Sequence, residues 1–152
     1  MNINNVIGVH NYLAGLELSK FDKDVRSAVR KNYVATHKVV KDFEDTQEVL
    51  KKKCFEGQEE IQQKVQDLRA RFQKATTSEE KAAIEAEGQS DEFMEYFKSE
   101  REFVQLLNEE LEKECEGLDL VKVEENDWID NLAKAEIKFT SVDIDKLECM
   151  LK

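Results

Sequence analysis

Between Leu18 and Leu50 the apolar and small residues Leu18, Phe21, Val25, Ala28, Asn32, Val39, Phe43 and Leu50 recur at steps of three, four and seven. That spacing is one stripe of a long helix. Past Gly57 the stripe resumes as Ile61, Val65, Leu68, Phe72 and Ala75. One helix is therefore predicted from about 20 to 75, with Gly57 a weak point costing about 1 kcal/mol relative to Ala. Ser19 with Asp22 offers a capping box at its start, and Thr77 with Glu80 offers another at 77. The second signature opens a helix from about 78 to 115, with the stripe Ala82, Ala86, Phe93, Phe97, Phe103, Leu107, Leu111 and Cys115. Gly88 to Asp91 can interrupt it, with Ser90 as a further cap. A shorter alternative ends the first helix near Phe55, leaves a disordered or short-helical tip and returns from Ser90, so the pattern leaves open a break at Gly57 or at Gly88.

Folding the chain near 76–77 sets Phe43 opposite Leu111, Leu50 opposite Phe103, Ile61 opposite Phe93 and Leu68 opposite Ala86. The expected architecture is a long antiparallel α-hairpin coiled-coil stalk over residues 39–116, about 55 Å long. Residues 1–38 and 117–152 would form a small head on the overhanging start of the first helix. Val6, Val9, Leu13 and Leu16 suit a short helix; Leu118, Leu120, Val121 and Val123 suit a strand; Asn126 to Leu132 suits a helical turn carrying Trp128. Ala135, Ile137 and Phe139 alternate with Glu136 and Lys138 as a second strand, and Ser141 can cap a last helix with Val142, Leu147 and Met150. The fold class expected is mainly α (α+β), one domain made of an elongated stalk and a mixed head.

Composition narrows the picture. With no Pro and five Gly in 152 residues, the chain lacks the turn residues of an all-β sandwich or barrel. No apolar run approaches the ~18 residues of a membrane span, and the first residues lack a basic and then apolar leader, so a cytoplasmic protein with no membrane partner is expected. Cys54, Cys115 and Cys149 are far apart and in no CxxC arrangement, which reads as free thiols.

The net charge of −11 is unevenly distributed. Residues 1–56 hold ten Lys/Arg against eight Asp/Glu, and residues 57–152 hold thirteen against twenty-six. In the hairpin register Lys38 and Lys41 lie near Glu114 and Glu112, where opposite charges favour that pairing. Lys23, Arg26 and Arg30 form a basic stripe suited to a phosphate or an acidic partner. Interleaved aromatics and base-reading side chains are missing from it, and the acidic background repels nucleic acid, so direct nucleic-acid binding is not expected. The acidic second helix could instead mimic DNA toward a nucleic-acid-binding protein.

Chemistry is absent from the motifs. The chain has no Gly-rich phosphate loop, HExxH, GxSxG or EF-hand spacing, and no Glu-x-x-His for a di-metal bundle. No catalytic residue, cofactor or metal is assigned, and His10 and His37 are given no chemical role. Trp128, the single Trp, is either the anchor of the head core or an exposed contact residue.

The layout resembles a family of short proteins of unknown function encoded by bacteriophages and prophages. The matching pieces are Met1-Asn2-Ile3-Asn4-Asn5, Leu16-Glu17-Leu18, Arg26 to Asn32, the run Phe103 to Leu111, and Ala135 to Leu151. The resemblance implies a helical hairpin with a small C-terminal β region and carries no activity or functional residues. The function expected is a non-enzymatic protein-interaction module, an assembly factor or chaperone for a phage structural protein. The alternative is an acidic regulatory inhibitor of a host nucleic-acid-binding protein. A protein partner is expected in either case, with Lys23, Arg26, Arg30 and Trp128 as candidate contacts and self-association open.

Overall fold

The computed structural model describes residues 1–152 and contains seven helices and no sheet. They are α1 (Ile3–Ala14), α2 (Lys23–Phe55), α3 (Glu59–Lys74), α4 (Ser78–Glu87), α5 (Asp91–Leu111), α6 (Glu125–Lys134) and α7 (Ser141–Leu147). The chain divides into two compact units, Met1–Asp45 with Glu110–Lys152, and Thr46–Glu109. Helix α2 contributes residues to both.

In the first unit α1 is started by the Asn2 side chain, which accepts from the Asn5 N–H at 3.0 Å. Helix α2 begins after Asp22 rather than at Ser19. The Asn131 Oδ1 accepts the Asp22 N–H at 2.6 Å, and the Asp22 carboxylate is held by Asn131 and Lys134. Val9 and Leu13 of α1, Val25, Ala28 and Val29 of α2, Trp128 and Leu132 of α6, and Leu147 with Met150 form one core, joined by Phe21, Leu120 and Val123. Burying a side chain of this size stabilises the unit by roughly 1.5–3 kcal/mol.

The α+β head is thereby corrected to an all-helical one. Both expected strands are extended or turned segments, and the only bridges are isolated ones at Asn2 and Glu114 and at Val123 and Leu151. Leu118, Leu120 and Val123 do turn inward while Asp119, Val121 and Lys122 face out, but the backbone of Val121 bonds to a side chain. Asn32, 1% exposed, donates from Nδ2 to the Val121 carbonyl at 2.9 Å and accepts the Val121 N–H on Oδ1 at 2.7 Å. An amide side chain thus supplies the donor and acceptor that a neighbouring strand would have supplied. At 135–139 the chain leaves α6 through Glu136 at φ 61°, with the Ile137 N–H bonded back to Leu132. That is a helix C-terminal turn. The last helix is capped by Thr140 instead of Ser141: the Asp143 carboxylate accepts from the Thr140 N–H at 3.0 Å and its hydroxyl at 2.7 Å.

In the second unit the single helix expected over 20–75 is cut at Gly57, whose φ of 75° lies in the left-handed region that favours glycine. The shorter reading, ending near Phe55 and returning from Ser90, describes the termini of α2 and α5, but its disordered or short-helical tip is corrected to the 16-residue α3 and the 10-residue α4. The Thr77–Glu80 capping box forms and starts α4. Ile61, Val65 and Leu68 of α3 pack with Phe93 and Tyr96 of α5, edged by Phe55, Ile84 and Phe97. The hairpin register is corrected in two places. Phe103 meets Phe55 at 5.6 Å between ring centres. Leu68 lies against Gly88, where an added Cβ would stand 3.2 Å from its Cδ2, while Ala86 is exposed. Arg69 clamps Glu100 with two hydrogen bonds of 2.7 and 2.9 Å and lies over the Phe97 ring.

Candidate interaction surface

The side of α2 that turns away from Val25, Ala28, Val29, Asn32 and Thr36 is exposed from Lys23 to Lys41. It presents Lys23, Ser27, Arg30, Lys31, Val34, His37, Lys38 and Lys41. Asp24, also exposed, stands at its edge seven residues before Lys31, and no carboxylate follows until past Lys41. The five cations on it have no ion-pair or hydrogen-bond partner, whereas Lys20, Lys113, Lys134 and Lys152 in the same unit each hold a carboxylate. Lys38 and Lys41 are three residues apart, and like charges at that spacing cost a helix a few tenths of a kcal/mol. Lys23 adds a cation to the first turn, the unfavourable end of the helix dipole.

Of the stripe read from sequence, the structure brings Lys23 and Arg30 together on this face. Arg26 is half-buried and lies beside Asp22, whose carboxyl is held below its ordinary range chiefly by the hydrogen bond from Lys134, with Arg26 adding to it. Lys31, Lys38 and Lys41 belong to the face instead. Glu114 and Glu112 are taken by other partners than Lys38 and Lys41: Glu114 binds the Met1 ammonium, and Glu112 accepts from Asn2 at 3.1 Å. Trp128 has no exposed surface at all and is withdrawn as a contact residue. It stands edge-on to Phe21 at 6.0 Å, and its Nε1 is buried without a hydrogen-bond partner.

Sequence reasoning missed one cluster. His10 is buried, with Nδ1 3.1 Å from the Thr36 hydroxyl, and its ring stacks on Tyr33 at 4.6 Å with His37 at 5.4 Å. The Thr36 hydroxyl reaches the Asn32 carbonyl at 2.9 Å. Burial, and then the neighbouring His37, lower the pKa of His10 below its ordinary 6.5. The available signal was the step of four from Val6 to His10, which puts the ring on the buried side of α1.

No group of three or more His, Cys, Asp or Glu side chains is arranged to hold a metal ion. One groove of about 750 Å³ lies beside Asn5, Gly8, Asn11, Val142 and Cys149; another of about 450 Å³ is lined by Leu68, Phe72, Ile84 and Phe97. No helix is long and apolar enough to cross a membrane. Against protein-family models, curated proteins and solved structures, the chain finds no match.

Proposed function

We propose that this protein is a non-enzymatic protein-interaction module whose docking surface is the basic face of α2. The resemblance to phage-encoded proteins adds an assembly or chaperone role toward a structural protein. The observation that carries the reading is the row of unpaired cations, Lys23, Arg30, Lys31, Lys38 and Lys41, on a chain whose net charge is −11. A face kept basic at a cost to its own helix, and left without internal partners, suits an acidic partner surface. A protein helix fits better than nucleic acid: the centre of the face is Val34, 68% exposed, no Phe, Tyr or Trp lies in the row, and the rest of the chain repels phosphate.

The test is binding of a synthetic Glu-rich helical peptide to the full chain, followed by fluorescence anisotropy at increasing salt. Tight binding at low salt that weakens steeply as the screening length shrinks is expected. The variant Lys23→Glu, Arg30→Glu, Lys41→Glu should keep its helicity and lose the peptide. Equal binding by parent and variant overturns the reading.

A further inference from the structure

The basic row has a counterpart on the same chain. Along α5 the exposed residues Asp91, Glu95, Lys98, Glu102, Gln105 and Glu109 follow one another at steps of four, three, four, three and four. Along α2 the exposed residues Lys23, Ser27, Arg30, Val34, His37 and Lys41 have the same steps. Both rows lie opposite the buried side of their helix, since α5 buries Phe93 and Tyr96. Each is about 27 Å long at 1.5 Å per residue, and alternating steps of three and four are those of a seam that keeps two helices in contact.

We infer that the partner of the basic face is the acidic face of α5 in a second copy of this chain, with the two helices antiparallel. This rests on the reading of α2 as a docking surface and names its occupant. The antiparallel register sets Lys23 against Glu109, Ser27 against Gln105, Arg30 against Glu102, Val34 against Lys98, His37 against Glu95 and Lys41 against Asp91. Opposite charges meet at both ends and in the middle, two neutral polar side chains meet at the second step, and the aliphatic stem of Lys98 covers Val34. The parallel register fails at its third step, where Arg30 would face Lys98, so charge alone selects the direction. Within the chain Lys23, Arg30, Lys41, Asp91, Glu95 and Glu102 form no ion pair, and Glu109 only accepts a hydrogen bond from Gln105. Each copy carries both faces, so two copies that exchange both contacts close as a pair, and copies that exchange one contact each add head to tail until a ring closes or the chain of copies ends.

The experiment is sedimentation equilibrium of the full chain at about 20 mM and about 500 mM salt, a change that shortens electrostatic reach several-fold. The parent should associate with rising concentration at low salt and be monomeric at high salt. Two variants carry the decision: Lys23→Glu, Arg30→Glu, Lys41→Glu on α2, and Asp91→Lys, Glu102→Lys, Glu109→Lys on α5. Each alone should be monomeric at low salt, and an equal mixture should associate again, because each variant then supplies the face complementary to the other. Circular dichroism checks that both remain helical; should either lose helicity, the same positions changed to Gln should weaken self-association of each variant at low salt, and an equal mixture should still pair through the one native α2–α5 contact it retains. Direction is read by crosslinking: with native thiols replaced, Ser27→Cys should join Gln105→Cys and not Glu95→Cys. A parent that stays monomeric at low salt while still binding the Glu-rich peptide overturns self-recognition and leaves the docking face standing. Failure of both removes the docking face as well. A mixture that does not associate overturns the pairing of these two faces.

Discussion

Asn32, buried on α2, holds Val121 by both backbone groups, one bond of 2.9 Å to the carbonyl and one of 2.7 Å from the N–H. The two residues are separated by 89 positions in the chain, so this side chain fixes a distant segment onto α2. Replacing Asn32 by Ala leaves a donor and an acceptor of Val121 without partners. Such groups cost about 1–3 kcal/mol when buried and unsatisfied. We expect a total loss of about 2–4 kcal/mol by urea unfolding, together with faster hydrogen exchange at the Val121 amide.

Acid should weaken the first unit through His10. Its pKa in the folded protein lies below the ordinary 6.5, first from burial and then from His37. The unfolded chain therefore takes up a proton at higher pH than the folded one, and stability falls as pH drops from 6.5 toward the folded value. The groups facing the ring are Tyr33, Thr36, His37 and, more distantly, Glu44, which opposes the shift. His10→Gln removes the titration, so its urea midpoint should change less between pH 7.5 and 5.5 than that of the parent.

The core of the second unit can be separated from the register suggested by the stripes. Leu68→Ala and Phe93→Ala remove buried side chains and should each cost about 2–5 kcal/mol. Ala86→Glu, at a position the stripe assigns to the core but the fold exposes, should stay within about 0.5 kcal/mol. Thermal unfolding of the three variants checks both statements.

Gly57 lies at a φ of 75° with open space around its Cα. Gly57→Ala meets no neighbour but must hold a left-handed backbone, at a cost of about 1–2 kcal/mol. The same change at Gly8, helical and also unobstructed, should instead stabilise by about 0.5–1 kcal/mol. Opposite signs for two glycine-to-alanine changes are the expected result in chemical denaturation.

Helices and their starts were legible where the signal is local. The Thr77–Glu80 box and the stripe Ile61, Val65, Leu68 depend on residues within a few turns of one another. The two strands were misread because alternation in and out of a core is shared by any extended segment. What makes a strand is the destination of its backbone hydrogen bonds, and for Val121 that destination is Asn32, which the sequence places simply as a small residue in an apolar stripe. The basic stripe was legible in part. Arg26 shares its spacing with Lys23 and Arg30, but its position on the helix brings it toward Asp22 and the joint with α6. The reach of the face to Lys41 depended on knowing that Lys38 and Lys41 have no partners, which no spacing rule reveals.

The extended segment Leu118 to Val123 has a further consequence for behaviour at high concentration. Apolar, β-branched stretches become templates when their backbone offers a free row of donors and acceptors to another chain. Here the row is closed from both directions. Asn32 occupies Val121, and Val123 exchanges bonds of 2.8 and 3.0 Å with Met150 and Lys152. Native protein should resist fibril growth from this stretch, whereas loosening either clasp would turn a silent part of the core into a sticky edge.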